Sequence, residues 1–132
     1  MIDDRMTSIK VGDKEHKLLL STGASQKIMT EFGGLSELGE QLSDAKNADE
    51  ATKLVKKIIL ILNESATRAE NLMYPSHNVS PLTEEELDYL TAPGDLLTFQ
   101  EAIMGALTKG SKRNVLSEED ETENTPDESV KN

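Results

Sequence analysis

NADEATKLVKKIILILNESATRAENLM, residues 47–73, is the stretch on which the reading of the whole chain turns. At about 100° per residue, Ala51, Leu54, Val55, Ile58, Ile61, Leu62, Ser65, Ala69, Leu72 and Met73 fall on one face of a helix. Lys53, Lys56, Lys57, Asn63, Glu64, Thr67 and Arg68 fall on the opposite face. Asn47 can cap the first turn while Glu50, three residues on, reaches back to it. Pro75 and the polar run Ser76-His77-Asn78 end the helix, because proline disfavours helical geometry in the residue before it. Within this helix the run Ile58-Ile59-Leu60-Ile61-Leu62 places apolar groups all around one turn. Such a turn is either a fully covered core element or an interaction surface. Leu60 falls in the sector of Lys53, Lys56, Glu64, Thr67 and Asn71, with Ile59 and Ile61 at the edges of the stripe. Ile59, Leu60 and Ile61 are therefore the candidate partner-binding residues, set against the plain alternative that single exposed leucines are common.

Towards the N-terminus, Ile9 and Val11 alternate with polar residues, Gly12-Asp13-Lys14 reads as a turn, and Glu15 to Leu20 returns as a second strand. Ser21 or Thr22 can cap a helix carrying Ala24, Ile28, Met29 and Phe32, which stops at Gly33-Gly34. A short helix with Leu35, Leu38 and Leu42 on one side follows. Beyond the long helix, Thr83-Glu84-Glu85-Glu86 forms a second capping box, with Leu82 and Leu87 placed as a hydrophobic staple. Its glutamates occupy the first turn, where the helix dipole favours them. A last helix is expected from Asp95 to Thr108, with Leu96, Phe99, Ile103, Ala106 and Leu107 inward and Gly110 as its stop. The fold class is α+β, mainly α: an N-terminal β-hairpin, four to five helices, and an acidic tail.

Residues 117–132 hold seven acidic groups and one lysine, which leaves −5 of the chain's net charge of −11 to residues 1–116. With Val130 as its one large apolar residue, the 117–132 segment cannot bury enough surface to offset the entropy of ordering it, so a disordered tail is expected after a single domain over 1–116. The negative charge argues against nucleic acid, which needs clustered Lys and Arg. No run of eighteen apolar residues is present to span a membrane, and the charged start Met1-Ile2-Asp3-Asp4-Arg5 lacks the pattern of a secretory signal, so a cytoplasmic location is expected. The absence of cysteine removes disulfides and thiolate chemistry.

Catalytic candidates are few. His16 stands in the second strand beside Glu15 and Lys17, and His77 in a polar loop; neither has neighbours at metal or triad spacing, and both read as surface residues. Asp3-Asp4 and the tail carboxylates would make weak, unselective cation sites. Gly12 and Gly33-Gly34 form no phosphate-binding motif. Asn78-Val79-Ser80 matches a glycosylation sequon, which has no use without a secretory signal. Two Phe and two Tyr leave little to line a ligand pocket. No catalytic residue, metal or cofactor is expected, and the chain reads as a protein that binds other proteins.

In layout the sequence resembles the small tail assembly chaperones of long-tailed bacteriophages and of prophages in Gram-positive bacteria. The resemblance rests on the hairpin Ile9 to Leu20 running into a helix that ends in Phe32-Gly33-Gly34, followed by a helical body. It also rests on Leu90-Thr91-Ala92-Pro93-Gly94-Asp95-Leu96 leading into Ala102-Ile103-Met104-Gly105-Ala106-Leu107-Thr108-Lys109-Gly110 and a polar acidic end. It covers most of residues 7–116. It implies a protein that coats the tape measure protein before the tail tube polymerises and is absent from the finished particle. It also implies, as in many of these phages, a longer fused form made by a ribosomal frameshift near the end of the gene, and Lys109-Gly110-Ser111-Lys112-Arg113 could be encoded by the slippery run. Self-association is expected as well. The family fixes no binding residues by motif. Two other readings remain open: a minor virion structural protein of the tail or head-to-tail connector, and a small acidic decoy that acts as a regulator.

Overall fold

The long helix forms because its start, its stop and its apolar stripe agree. In the computed structural model, which describes residues 2–44 and 47–111, α3 spans Ala48–Met73 and Asn47 caps it, accepting from the Glu50 N–H. Around it stand β1 (Met6–Val11), β2 (Lys14–Leu19), α1 (Thr22–Phe32), α2 (Leu35–Asp44), α4 (Glu84–Tyr89) and α5 (Leu96–Ser111), with short 3-10 turns at Ile2–Arg5, Pro75–His77 and Pro93–Asp95. This is the expected N-terminal hairpin followed by helices. The tail, 117–132, lies outside the described residues.

The antiparallel register pairs Val11 with Lys14, so the connection is the two residues Gly12-Asp13, one shorter than expected. Ile9, Val11 and Leu18 on one face of the ribbon join the main core. On that face the Thr7 hydroxyl donates to the carbonyl of Ala102 in α5, at 2.7 Å. Met6 and Leu19, paired across the other face, meet Ala66 of α3 in a second, small cluster. A two-stranded ribbon is marginal by itself in water. This one is held because α5 and α3 cover its two faces.

Ser21 proves to be the cap of α1, accepting from the Ala24 N–H, and α1 ends on Gly33, whose φ of 95° is a left-handed geometry that glycine adopts without strain. Ala24, Ile28 and Phe32 are buried as expected, whereas Met29 is exposed. At α4 both halves of the capping box are formed: Thr83 Oγ1 accepts from the Glu86 N–H, and Glu86 accepts from the Thr83 N–H. Leu82 and Leu87 are both buried in the main core. Thr83→Ala is expected to lower stability by about 1 kcal/mol, the usual scale for a lost cap; chemical denaturation measures it, and no change would mean that Glu86 alone suffices.

Gly110 corrects the sequence reading. It does not stop α5, which continues to Ser111. A Cβ at 110 would lie 2.5 Å from Leu20 Cβ and 2.7 Å from the Leu20 carbonyl oxygen. The residue is glycine because the last turn of α5 lies directly against the chain leaving β2.

The polar face of α3 is also corrected. Asn63 and Thr67 are buried, because β2 packs on that side of the helix. Asn63 Nδ2 donates to the Lys17 carbonyl at 3.0 Å, and its Oδ1 accepts from the Leu82 N–H at 2.7 Å. One amide thus ties α3 to β2 and to the loop before α4. At the other extreme Leu72 and Met73, assigned to the inward stripe, are exposed: the last turn of α3 runs past Ala69, which still packs on the hairpin.

Candidate functional site

Leu60 is half-buried between α1 and α3 and packs on the main core, rather than standing on an open polar face. Ile59 is fully buried and Ile61 is 8% exposed, both within that core. Of the three candidate partner residues, Leu60 alone has much side-chain surface to offer.

Its surroundings follow from helical spacing. Lys57 and Glu64 stand three residues before and four after Leu60, on the same side of α3. Across from them on α1 are Glu31 and Lys27, again four apart. Lys27 Nζ meets Glu64 Oε1 at 2.6 Å, and Lys57 Nζ lies 3.9 Å from Glu31 Oε1. Two ion pairs of opposite sense therefore bridge α1 and α3 on either side of Leu60. Lys57 Nζ also stands 6.0 Å from the centre of the Phe32 ring.

Leu60 and Glu31 line two adjoining hollows. The larger, about 780 Å³, runs from Leu60 past Phe32 and Leu54 to Asp44 and Glu50. The second, about 610 Å³, runs from Leu60 over Ile61 to Gly23, and a third of about 320 Å³ carries it on to Arg68. Together they form a groove along α3 from Glu50 to Arg68, about 27 Å at 1.5 Å per residue. Five acidic and five basic side chains line it: Glu31, Asp44, Glu50, Glu64 and Glu84 against Lys27, Lys53, Lys56, Lys57 and Arg68. In a chain of net charge −11, this is a locally balanced zone.

The Lys27 hydrogen bond, then the charges of Lys27 and Arg68, hold the Glu64 carboxyl below its ordinary 4.5, against the upward push of burial. Lys56 is raised, chiefly by its hydrogen bond to Asp88 and also by Glu84. A carboxyl depressed by folding contributes stability that is present above its unfolded value and lost as the pH falls through the folded one. Stability is thus expected to drop as the pH falls below about 4.5, and Glu64→Gln to flatten that drop. Thermal melts across the acid range measure it; an unchanged acid slope would show the pair to be fully screened by solvent.

Neither histidine lies in the groove. His16 is partly buried, which lowers its pKa, with Glu86 opposing. His77 stacks on Tyr74 with ring centroids 4.9 Å apart and meets Glu70 through Nδ1 at 2.8 Å, while Lys17 also reaches Glu70. Among the described residues no cluster of three His, Cys, Asp or Glu is placed to hold a metal ion, and no helix is long and apolar enough to cross a membrane.

The sequence reading missed a second exposed apolar strip. Leu97 and Met104, seven residues apart on α5, are 67% and 50% exposed. The signal was available, since Leu96-Leu97 and Ile103-Met104 place apolar groups on both sides of that helix. No family model, characterised protein or solved structure matches the chain.

Proposed function

We propose that the chain is a binding protein of virion assembly, a tail assembly chaperone that holds the tape measure protein of a long-tailed phage in the host cytoplasm until the tail tube forms. The observation that carries the reading is the Leu60 groove, a channel with Phe32, Leu54 and Leu60 in its lining on a small acidic protein. The layout of hairpin, glycine-stopped helix and late apolar helix supports it, as do the exposed apolar residues of α5. A client rich in apolar helix needs many copies of a soluble partner, and a net charge of −11 keeps coated complexes apart by repulsion.

Co-expression tests the reading. The tape measure protein encoded by the same phage genome should be soluble when made with this chain and should aggregate without it, and purified particles should lack the chain. A chain retained in particles would instead be a minor structural component. A client equally soluble alone would end the chaperone reading.

A further inference from the structure

We propose that the wide half of the groove, floored by Phe32, Leu54 and Leu60, docks a single amphipathic helix of a partner, with one basic and one acidic flank. This rests on the reading of the Leu60 groove as the partner site and adds what kind of segment fits it.

The shape argues for a helix. Along α3 the apolar lining of this hollow runs from Leu54 to Leu60, about 9 Å along the helix axis and nearly two turns, with Phe32 of α1 beside it. A docked helix matches that length with apolar side chains at i, i+3 or i+4, and i+7, the anchor spacing of helix-in-groove recognition. The hollow is bounded by α1 and α2 on one side and α3 on the other, with Glu84 of α4 also in its lining, and the exposed Lys57–Glu31 pair joins the two sides at 3.9 Å, so a docked helix lies over or displaces that pair.

The charges argue for the flanks. On the α1–α2 wall stand Glu31 and Asp44; on the α3 wall Lys53, Lys56 and Lys57 outnumber Glu50, and Glu84 of α4 is paired with Lys56. Lys53 and Lys57 meet Asp49 and Glu31 in exposed pairs, at 3.2 and 3.9 Å. Exposed pairs of this kind contribute little, so partner charges can replace them at small cost. A helix with lysines facing Glu31 and Asp44 and glutamates facing Lys53 and Lys57 satisfies both walls. The split of charge also fixes the direction in which the helix lies, since turning it end for end reverses its flanks.

The test uses the full chain and three fluorescein-labelled peptides of about fifteen residues, or four turns. The first has leucine at i, i+4 and i+7, lysine on one flank and glutamate on the other. The second keeps the leucines but carries lysine on both flanks. The third has the composition of the first with its leucines scattered around the helix. By anisotropy the protein should bind the first peptide roughly tenfold more tightly than the second, and the third not measurably. The protein variant carrying both Lys53→Glu and Lys57→Glu, exposed changes on α3, should reverse the preference for the first two. Amide shifts in the complex should fall at Phe32, Leu54 and Leu60.

Several results would overturn the proposal: no binding of the first peptide, equal binding of the third, a preference that the variant does not reverse, or shifts confined to Leu97 and Met104. Concentration-dependent shifts at Leu60 without peptide would make a second copy of the chain the occupant, and would overturn it too. Solubilisation of the tape measure protein that survives such a failure would leave the chaperone reading standing and move its contact elsewhere.

Discussion

Asn63→Ala is expected to lower stability by about 3 kcal/mol. The side chain is 1% exposed and makes two hydrogen bonds, to the Lys17 carbonyl and from the Leu82 N–H. Removing it strands a carbonyl on the outer edge of β2 and an amide just before the α4 cap. Each buried group left without a partner costs on the order of 1–3 kcal/mol. Asn63→Asp separates the two contributions, since a carboxylate can still accept from Leu82 but cannot donate to Lys17, and it sets a charge beside a carbonyl in a dry site. Both variants should unfold at lower denaturant than the parent, with Asn63→Asp no more stable than Asn63→Ala near neutral pH. A loss below about 1 kcal/mol for Asn63→Ala would mean that water enters and replaces both bonds.

The same residue shows where the sequence stops being legible. Helix starts are readable because they are local: Ser21, Asn47 and Thr83 each act on an amide three residues away. The burial of Asn63 is not local. It depends on which side of α3 the β2 edge comes to rest, and nothing within residues 47–73 encodes that. Gly110 is similar, since a glycine near a helix end reads as a stop unless Leu20, ninety residues earlier, is known to lie against it. Leu72 and Met73 fit the stripe, but the stripe outruns the hairpin that covers it. Leu60 stands out in the sequence because it breaks the polar sector, and the groove around it is beyond reach there because α1 supplies its second wall. Lys27 and Glu31 give no sign in the sequence that they will stand opposite Glu64 and Lys57.

That wall separates the expected effects of two neighbouring substitutions. Ile58→Glu sets a carboxylate at a position with no exposure, amid the apolar core. An unpaired buried charge costs several kcal/mol, and a domain of this size has on the order of 5–15 kcal/mol in all, so the variant should be largely unfolded. Leu60→Gln differs because the side chain is only half-buried and its neighbours Lys57, Glu64 and Glu31 are already polar. Glutamine also avoids adding a third carboxylate between Glu31 and Glu64. It should keep the helical circular dichroism of the parent and lose about 1 kcal/mol, from part of one leucine's apolar burial. Its partner binding should fall far more than its stability. The discriminating measurement is a melt and a binding titration on the same samples of both variants. If Leu60→Gln unfolds with Ile58→Glu, the leucine is a core residue like Ile59 and Ile61, and the groove is a seam between α1 and α3. If it folds and binds the client as the parent does, the contact surface lies elsewhere, and the exposed Leu97 and Met104 of α5 become the next residues to substitute.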